Sequence, residues 1–331
     1  MERHLLRNRL TANDAAPLFE EARQIRFRTK GNSVYLRGLI EMSSICDRDC
    51  LYCGMRHSNT QAVRYALDDD TILASAHLAQ KLNFGTVVLQ AGECARLWTR
   101  DRVSGLIRRI KDETGQHVTL SLGERSYEDF AAWRAAGAER YLLRFETSDR
   151  ALFAKIHPGA PLTGPHPRIE RLHWLKELGY ETGTGVMLGI PGQTLESLLD
   201  DLEIIAALPA DMVGIGPYLA DPQTPLGSGE QTSEIPVSAD FTCRIYALVR
   251  LLLPGANIPS TTALSTLDPK HGRLMGLSSG ANVFMPNLTP ADARKGYRIY
   301  PDKICVVAPE ADSVGALHAD LASLGLQAVW A

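Results

Sequence analysis

No apolar run in the chain approaches the roughly 20 residues that a membrane-spanning helix requires. The first residues, Met1 to Arg7, carry no apolar core of a signal peptide. An excess of one charge is missing too. A net charge of -3 over 331 residues gives no electrostatic reason to expect nucleic acid or an anionic membrane as partner. That length suffices for one large barrel or two ordinary domains, but no Gly/Ser-rich linker, low-complexity tract or short repeat marks a boundary. Cysteine is sparse: six in all, three of them within residues 46–53. Such clustering argues for a metal site in a reducing compartment rather than a disulfide framework, so the expected location is cytoplasmic.

The three clustered thiols read Cys46-x3-Cys50-x2-Cys53, directly after a strand-like run, Val34 to Met42. Thiolates are soft ligands that hold zinc or iron–sulfur clusters. Three of them leave one iron of a 4Fe-4S cubane without a protein ligand, and an open position on a metal is where chemistry happens. A structural zinc site is the competing reading, with His57 as a fourth ligand.

The rest of the chain alternates. A leading helix is expected over residues 12–29. Strands are expected at Val34–Met42, Thr86–Ala91, His117–Leu122, Arg140–Glu146, Gly183–Gly189, Met212–Pro217, Asn257–Ala263 and Asn282–Pro286, with helical patterns between them. Eight such units predict a complete (β/α)8 TIM barrel with an N-terminal helix and a C-terminal covering segment. The expected division is a helical leader over 1–33, the barrel over 34–290, and a segment packed on it over 291–331.

Chemistry in such a barrel collects at the C-terminal ends of the strands. After the cysteines, these ends carry Gln90-Ala-Gly92-Glu93, Ser121-Leu-Gly-Glu124, Arg144-Phe-Glu146-Thr147, Met187-Leu-Gly-Ile-Pro-Gly192-Gln193, Gly214-Ile-Gly-Pro217, Ser260-Thr261-Thr262 and Met285-Pro-Asn287. Singly, each reads as a turn or a solvated strand end. Together they describe a polar small-molecule site.

Cys-x3-Cys-x-aromatic-Cys after a strand, with Tyr52 as the aromatic, resembles the signature of the radical SAM enzymes. In that superfamily S-adenosylmethionine (SAM) chelates the open iron, and an electron from the cluster cleaves it to a 5′-deoxyadenosyl radical. Gln90-Ala-Gly92-Glu93 resembles the superfamily's GGE segment, with Ala91 in place of the first glycine. Longer phrases, among them LRGLIEMSSIC, VVLQAGE, LLRFET, GYETGTGVMLGIPGQT and GANVFMPN, resemble the HydE family of FeFe-hydrogenase maturases, within the biotin synthase-like group. The resemblance runs from about residue 30 to residue 306.

It implies that Cys46, Cys50 and Cys53 hold one 4Fe-4S cluster and that SAM is the second cofactor. Ser121, Glu146 and Arg168 match SAM-contacting positions, and Gln90, Gly92 and Glu93 lie on the SAM amino side. Tyr52, Met212 and Tyr297 would line its adenine side. Arg144, Thr119, Thr261 and Thr262, with Gln90, are substrate candidates deeper in the barrel. The implied substrate is a small organometallic precursor, iron carrying CO, cyanide and cysteine. The implied partners are an external electron donor and other hydrogenase maturases. A related enzyme with an organic substrate, of the methylornithine synthase kind, is the alternative. Some members hold a second cluster on three C-terminal cysteines. Here Cys305 matches the first and the other two are missing, which makes Cys305 an ordinary thiol. Cys94 and Cys243 read as structural.

Overall fold

The computed structural model describes residues 1–208, 210–230, 232–303 and 311–329, with the backbone alone at 311–314 and 316. Among the described residues there are ten strands: β1 Ser33–Ser43, β2 Thr86–Ala91, β3 His117–Ser121, β4 Arg140–Leu142, β5 Glu181–Thr184, β6 Met187–Leu188, β7 Met212–Val213, β8 Gly216–Pro217, β9 Val283–Phe284 and β10 Gln327–Val329. β1 is buried along nearly its whole length, as a central parallel strand must be when both faces are covered. Helices pack outside the sheet and share one large apolar core with it. No helix among the described residues is long and apolar enough to cross a membrane.

The barrel is open, which corrects the expected complete (β/α)8 TIM barrel. Seven parallel strands run in the order β9-β1-β2-β3-β4-β5-β7, and the edges of this incomplete barrel stand 9 Å apart. The expected strand Asn257–Ala263 does not form. Residues 257–259 meet their neighbours through single bridges, Met212 with Asn257 and Pro259 with Val283. Pro259 has no N–H to give a ladder, and Thr261 already caps the helix Thr262–Leu267. β6 and β8 pair separately with each other. β10 pairs with Ser33–Tyr35, before β1 meets β2 at Arg37.

Side chains fasten the seam where the ladder fails. The buried Arg250 guanidinium donates to the carbonyls of Pro254, Ala256 and Gly280 and to Asn282 Oδ1, at 2.8–3.0 Å. Asn282 Oδ1 also accepts from the Ile258 N–H at 2.9 Å, and its Nδ2 donates to Asn257 Oδ1 at 2.9 Å. Burial without a carboxylate lowers the Arg250 pKa to about 10.

The mouth is ordered by helix caps. Asp68, Thr99, Ser126, Asp149, Thr194, Ser238 and Thr261 each open a helix with a side-chain oxygen accepting an orphan backbone N–H. The expected leader helix over 12–29 forms as Ala16–Lys30, with Pro17 in its first turn, and a further helix not expected, Arg3–Thr11, precedes it.

Arg250→Met keeps the length of the side chain and removes the five bonds that close the seam. It is expected to lower stability by about 3 kcal/mol or more, because buried carbonyls lose their donors. A urea midpoint unchanged from wild type would show that the seam does not depend on this residue.

Candidate active site

The cysteine loop leaves β1 at Ser43. Three backbone bonds fix it to neighbouring connections: Gly92 N–H to Ser43 O at 3.0 Å, Asp47 N–H to Glu93 O at 2.7 Å, and Leu51 N–H to Ile156 O at 2.9 Å. A Cβ on Gly92 would stand 2.4 Å from Ile45 O and 2.9 Å from Cys46 Cβ, so the loop approaches β2 this closely because position 92 has no side chain. Arg64 clamps the loop from the other side, donating to the carbonyls of Ser44, Met55, Arg56 and Asn59.

Cys46, Cys50 and Cys53 are half-buried and free. The Arg48 N–H points at Cys46 Sγ, 3.4 Å away. Burial pushes the Cys50 thiol up to about 12, Glu93 and Cys46 adding to the rise and Arg168 opposing it. Burial raises Cys46 and Cys53 as well, and Cys50 raises Cys53 further. The three thiols thus share one electrostatic neighbourhood in which thiolates need a cationic partner, and a 4Fe-4S core fits that donor set. Among the described residues no three His, Cys, Asp or Glu side chains are gathered as they would be about a single metal ion. His57, the fourth ligand of the zinc reading, is exposed.

Beside the thiols lies a buried charge network. Arg168 donates from Nε to Glu124 Oε1 at 3.1 Å and from Nη1 to Arg144 O at 3.0 Å, while Nη2 comes within 3.9 Å of Glu93. Glu146 lies 3.9 Å away, and the guanidinium sits 5.5 Å over the Phe153 ring. Burial opposes its charge, but Tyr52, Glu93, Glu124 and Glu146 together hold its pKa above the ordinary arginine value. Glu124 is also desolvated, yet Arg168 and Arg171 keep it below the usual carboxylate value. Glu93 takes a bond from Arg48 at 2.9 Å and lies against Gly123, whose φ is +72° and whose Cβ would stand 2.0 Å from Glu93 Cγ.

Glu146 has φ +67°, a left-handed backbone unusual for its residue type. Its carboxylate is 3.0 Å from Arg144 Nη2, which also donates to Val186 O at 2.6 Å. Arg144 Nε, Thr119 Oγ1, Thr184 Oγ1 and Arg37 Nε are buried without a hydrogen-bond partner. Arg37 Nη1 reaches Met212 Sδ at 3.3 Å. β1 and β7 are not neighbours, so that contact crosses the interior. These orphaned atoms describe a polar interior below the thiols.

The proposed residues therefore sort by depth. Tyr297 is buried within electrostatic reach of Cys46 and Cys53, under Lys303, whose Nζ lies 4.7 Å from its ring centroid. Lys303 also pairs with the buried Glu41. Gln90 and Ser121 are register partners on β2 and β3. Met212 opens β7, its Sδ 3.3 Å from Arg37 Nη1. Thr261 Oγ1 is engaged, 3.0 Å from the Tyr246 hydroxyl and capping Leu264 N–H, and Thr262 opens the helix it caps. Cys94 and Cys243 are buried, and Cys305 lies outside the described residues. A cleft of about 620 Å³, bordered by Tyr218, Ile235, Val237, Leu267 and Asp302, opens on the same mouth.

The family profile described as Radical SAM superfamily matches residues 40–205. Over 309 residues the chain is 43% identical to the FeFe hydrogenase maturase subunit HydE of Thermotoga maritima, covering 92% of this chain and 85% of that protein. The chain is a radical SAM enzyme of the HydE family. Membership implies a capacity for a 4Fe-4S cluster and SAM. A 3-methylornithine synthase of Methanosarcina acetivorans is 27% identical over 84% of this chain and 75% of its own length. The crystal structure of methylornithine synthase (PylB) shares the fold, with a TM-score of 0.82 at 23% identity over 99% of this HydE-family chain and 94% of that one.

Sequence reasoning passed over Asp201. Its Oδ1 accepts from Ser148 N–H at 2.5 Å and Ser148 Oγ–H at 2.6 Å, fixing the turn after Glu146, while Oδ2 has no partner. Burial raises its pKa to about 7, more than the Ser148 bonds lower it. The folded state then holds this proton more tightly than the unfolded state does. Stability falls as pH rises from about 4 to 7, by roughly a few kcal/mol. Asp201→Asn keeps the acceptor and cannot ionise. Its stability relative to wild type is expected to rise across that window, and a difference independent of pH in urea melts would contradict the assignment.

Proposed function

We propose that this chain is an FeFe-hydrogenase maturase of the HydE kind, which cleaves SAM reductively and acts on a cysteine-bound iron carbonyl/cyanide precursor. The observation that carries this reading is 43% identity over 92% of the chain to a HydE protein. The charged mouth and polar interior are consistent with it. Cys46, Cys50 and Cys53 would hold one 4Fe-4S cluster. Bound there, the cluster supplies the electron that converts SAM to a 5′-deoxyadenosyl radical.

The chain's own residues do the rest. Arg168, with Nη2 the less engaged end of its fork, grips the methionine carboxylate of SAM. Glu93 receives the amino group, and Ser121 and Glu146 offer hydrogen-bonding atoms to the carboxylate and ribose. Tyr52 and Tyr297 exclude water beside the thiols, which protects a reactive species from quenching. Below them Arg144 orients an anionic substrate. Its present partners are one carboxylate and one carbonyl, and its Nε is unused. An electron donor and the other maturases are the partners this reading requires.

Anaerobic reconstitution should give about four irons and four sulfides per chain. Cys46→Ala, Cys50→Ala or Cys53→Ala should abolish both the cluster and SAM cleavage, whereas Cys305→Ala should leave them near wild type. The decisive measurement is in vitro maturation of an FeFe hydrogenase. Failure to support maturation, with formation of 3-methylornithine, would move the chain to the methylornithine synthase kind.

Arg144→Lys keeps the charge and loses the planar fork. Cluster assembly and SAM affinity should persist while maturation turnover falls, about tenfold if one bidentate contact is lost. Weakened SAM binding instead would place Arg144 in the cofactor layer.

A further inference from the structure

Two buried histidines, His157 and His166, have no part in the roles above. His157 ends the helix Arg150–Ile156. Its Nδ1 lies 3.1 Å from the Phe153 carbonyl, which fixes the proton on that nitrogen. Nε2 is therefore a lone pair, and the Tyr52 hydroxyl, 3.1 Å away, donates to it. His166 caps the helix Pro167–Glu177, its Nδ1 accepting from the N–H groups of Arg168 at 3.2 Å and Ile169 at 3.4 Å. Its Nε2–H donates to Thr147 O at 3.1 Å. Each ring thus uses both nitrogens in a single tautomer, and both are neutral: burial lowers His166 to about 4 and His157 well below the ordinary value.

Phe153 stands between them, its centroid 4.3 Å from His157 and 4.2 Å from His166. Arg168 lies over the same Phe153 ring. A continuous path therefore runs from the aromatic of the cysteine motif to the buried arginine: Tyr52, His157, Phe153, His166, Arg168. Ser, Thr, Asn and Asp are the usual helix-opening residues. A histidine adds a second, distant nitrogen, which here ties the start of the Arg168 helix to the residue after Glu146. A leucine or phenylalanine core would fill the space and make none of these bonds.

We propose that His157 and His166, packed against Phe153, are positioning residues that set Arg168 against Tyr52 and so hold the methionine end and the adenine side of SAM in register with the cysteines. This rests on the functional reading above, in which Arg168 and Tyr52 border SAM. Because the path is a series of contacts, breaking it at either histidine releases the same register.

The test uses the reconstituted full chain, with iron content, thermal melting and the SAM dissociation constant by equilibrium dialysis as readouts. His157→Phe keeps an aromatic ring against Phe153 and removes the acceptor for Tyr52. His166→Ala removes the cap, and His166→Asn restores it. His157→Phe and His166→Ala are each expected to weaken SAM binding about fivefold to tenfold at unchanged iron content, from the loss of one or two bonds. The double variant should lose about as much as the weaker-binding single, and His166→Asn, which restores the cap but neither the bond to Thr147 nor the ring against Phe153, should recover only part of the loss. Losses that multiply in the double variant overturn the proposal, as does wild-type SAM affinity in a folded His157→Phe variant. If His166→Ala does not fold, His157→Phe and His166→Asn decide the matter. Wild-type chain that takes up iron yet binds no SAM overturns the functional reading itself, a result distinct from additive losses.

Discussion

Arg168 is a full positive charge held where water scarcely reaches, and the mouth of the barrel is built to keep it there. Its partners come from three successive connections: Glu93 after β2, Glu124 after β3, and Arg144 O with Glu146 after β4. Removing one member of such a cluster leaves the opposite charges buried together, which costs more than any single bond contributes. The dependence extends outward. Glu93 needs the bare backbone of Gly123 beside it, and its carbonyl holds the Asp47 N–H of the cysteine loop. The cysteines are thus placed by backbone contacts that the charge network keeps in position.

A different device holds the far side of the barrel. An open sheet has two edges with unpaired backbone groups, and these must be covered. Between β7 and β9 the cover consists of single bridges together with Arg250 and Asn282, side chains acting as a partial strand. The mouth can therefore be stiff on the β1 to β4 side, where the charges sit, while regular pairing lapses opposite.

Motifs in which residue type and spacing carry the chemistry were legible in the sequence. The cysteine triplet and Gly92-Glu93 are of this kind, as are most long helices, which show as periodic patterns between the strands. The closure of the barrel was misread because Asn257–Ala263 has a strand's length and bounds, while Pro259 and the Thr261 cap prevent the ladder. The helix Arg150–Ile156 escaped notice because its seven residues are too few to show a period. The adenine-side role of Met212 comes from the family resemblance alone, and its contact with Arg37 is a tertiary fact that its place in the sequence does not carry. Glu124 stood in view at a strand end, but its pairing with Arg168 and Arg171 is a tertiary fact. His157 and His166 had no sequence signal, since a lone histidine has many ordinary uses.

Glu146 shows how strain and charge meet at the centre. A left-handed, non-glycine residue persists only where its surroundings over-determine it. Here Glu146 N–H donates to Gly185 O at 3.2 Å, its carbonyl accepts from Met187 N–H at 3.0 Å, and Asp201 pins Ser148 two residues on. That conformation leaves one carboxylate between two arginines, 3.0 Å from Arg144 and 3.9 Å from Arg168. Around the network Arg144, Arg168 and Arg171 face Glu93, Glu124 and Glu146, with the exposed Arg48 at its rim, so within it three guanidiniums meet three carboxylates. Arg144 Nε is nevertheless buried without a partner, and a further anionic group would satisfy it. Arg144 is the guanidinium whose single carboxylate partner is shared, and its unused Nε shows where such a group would gain most. The same shared glutamate that joins the two arginines thus leaves one of them with a donor unmet, on the side away from the cysteine loop.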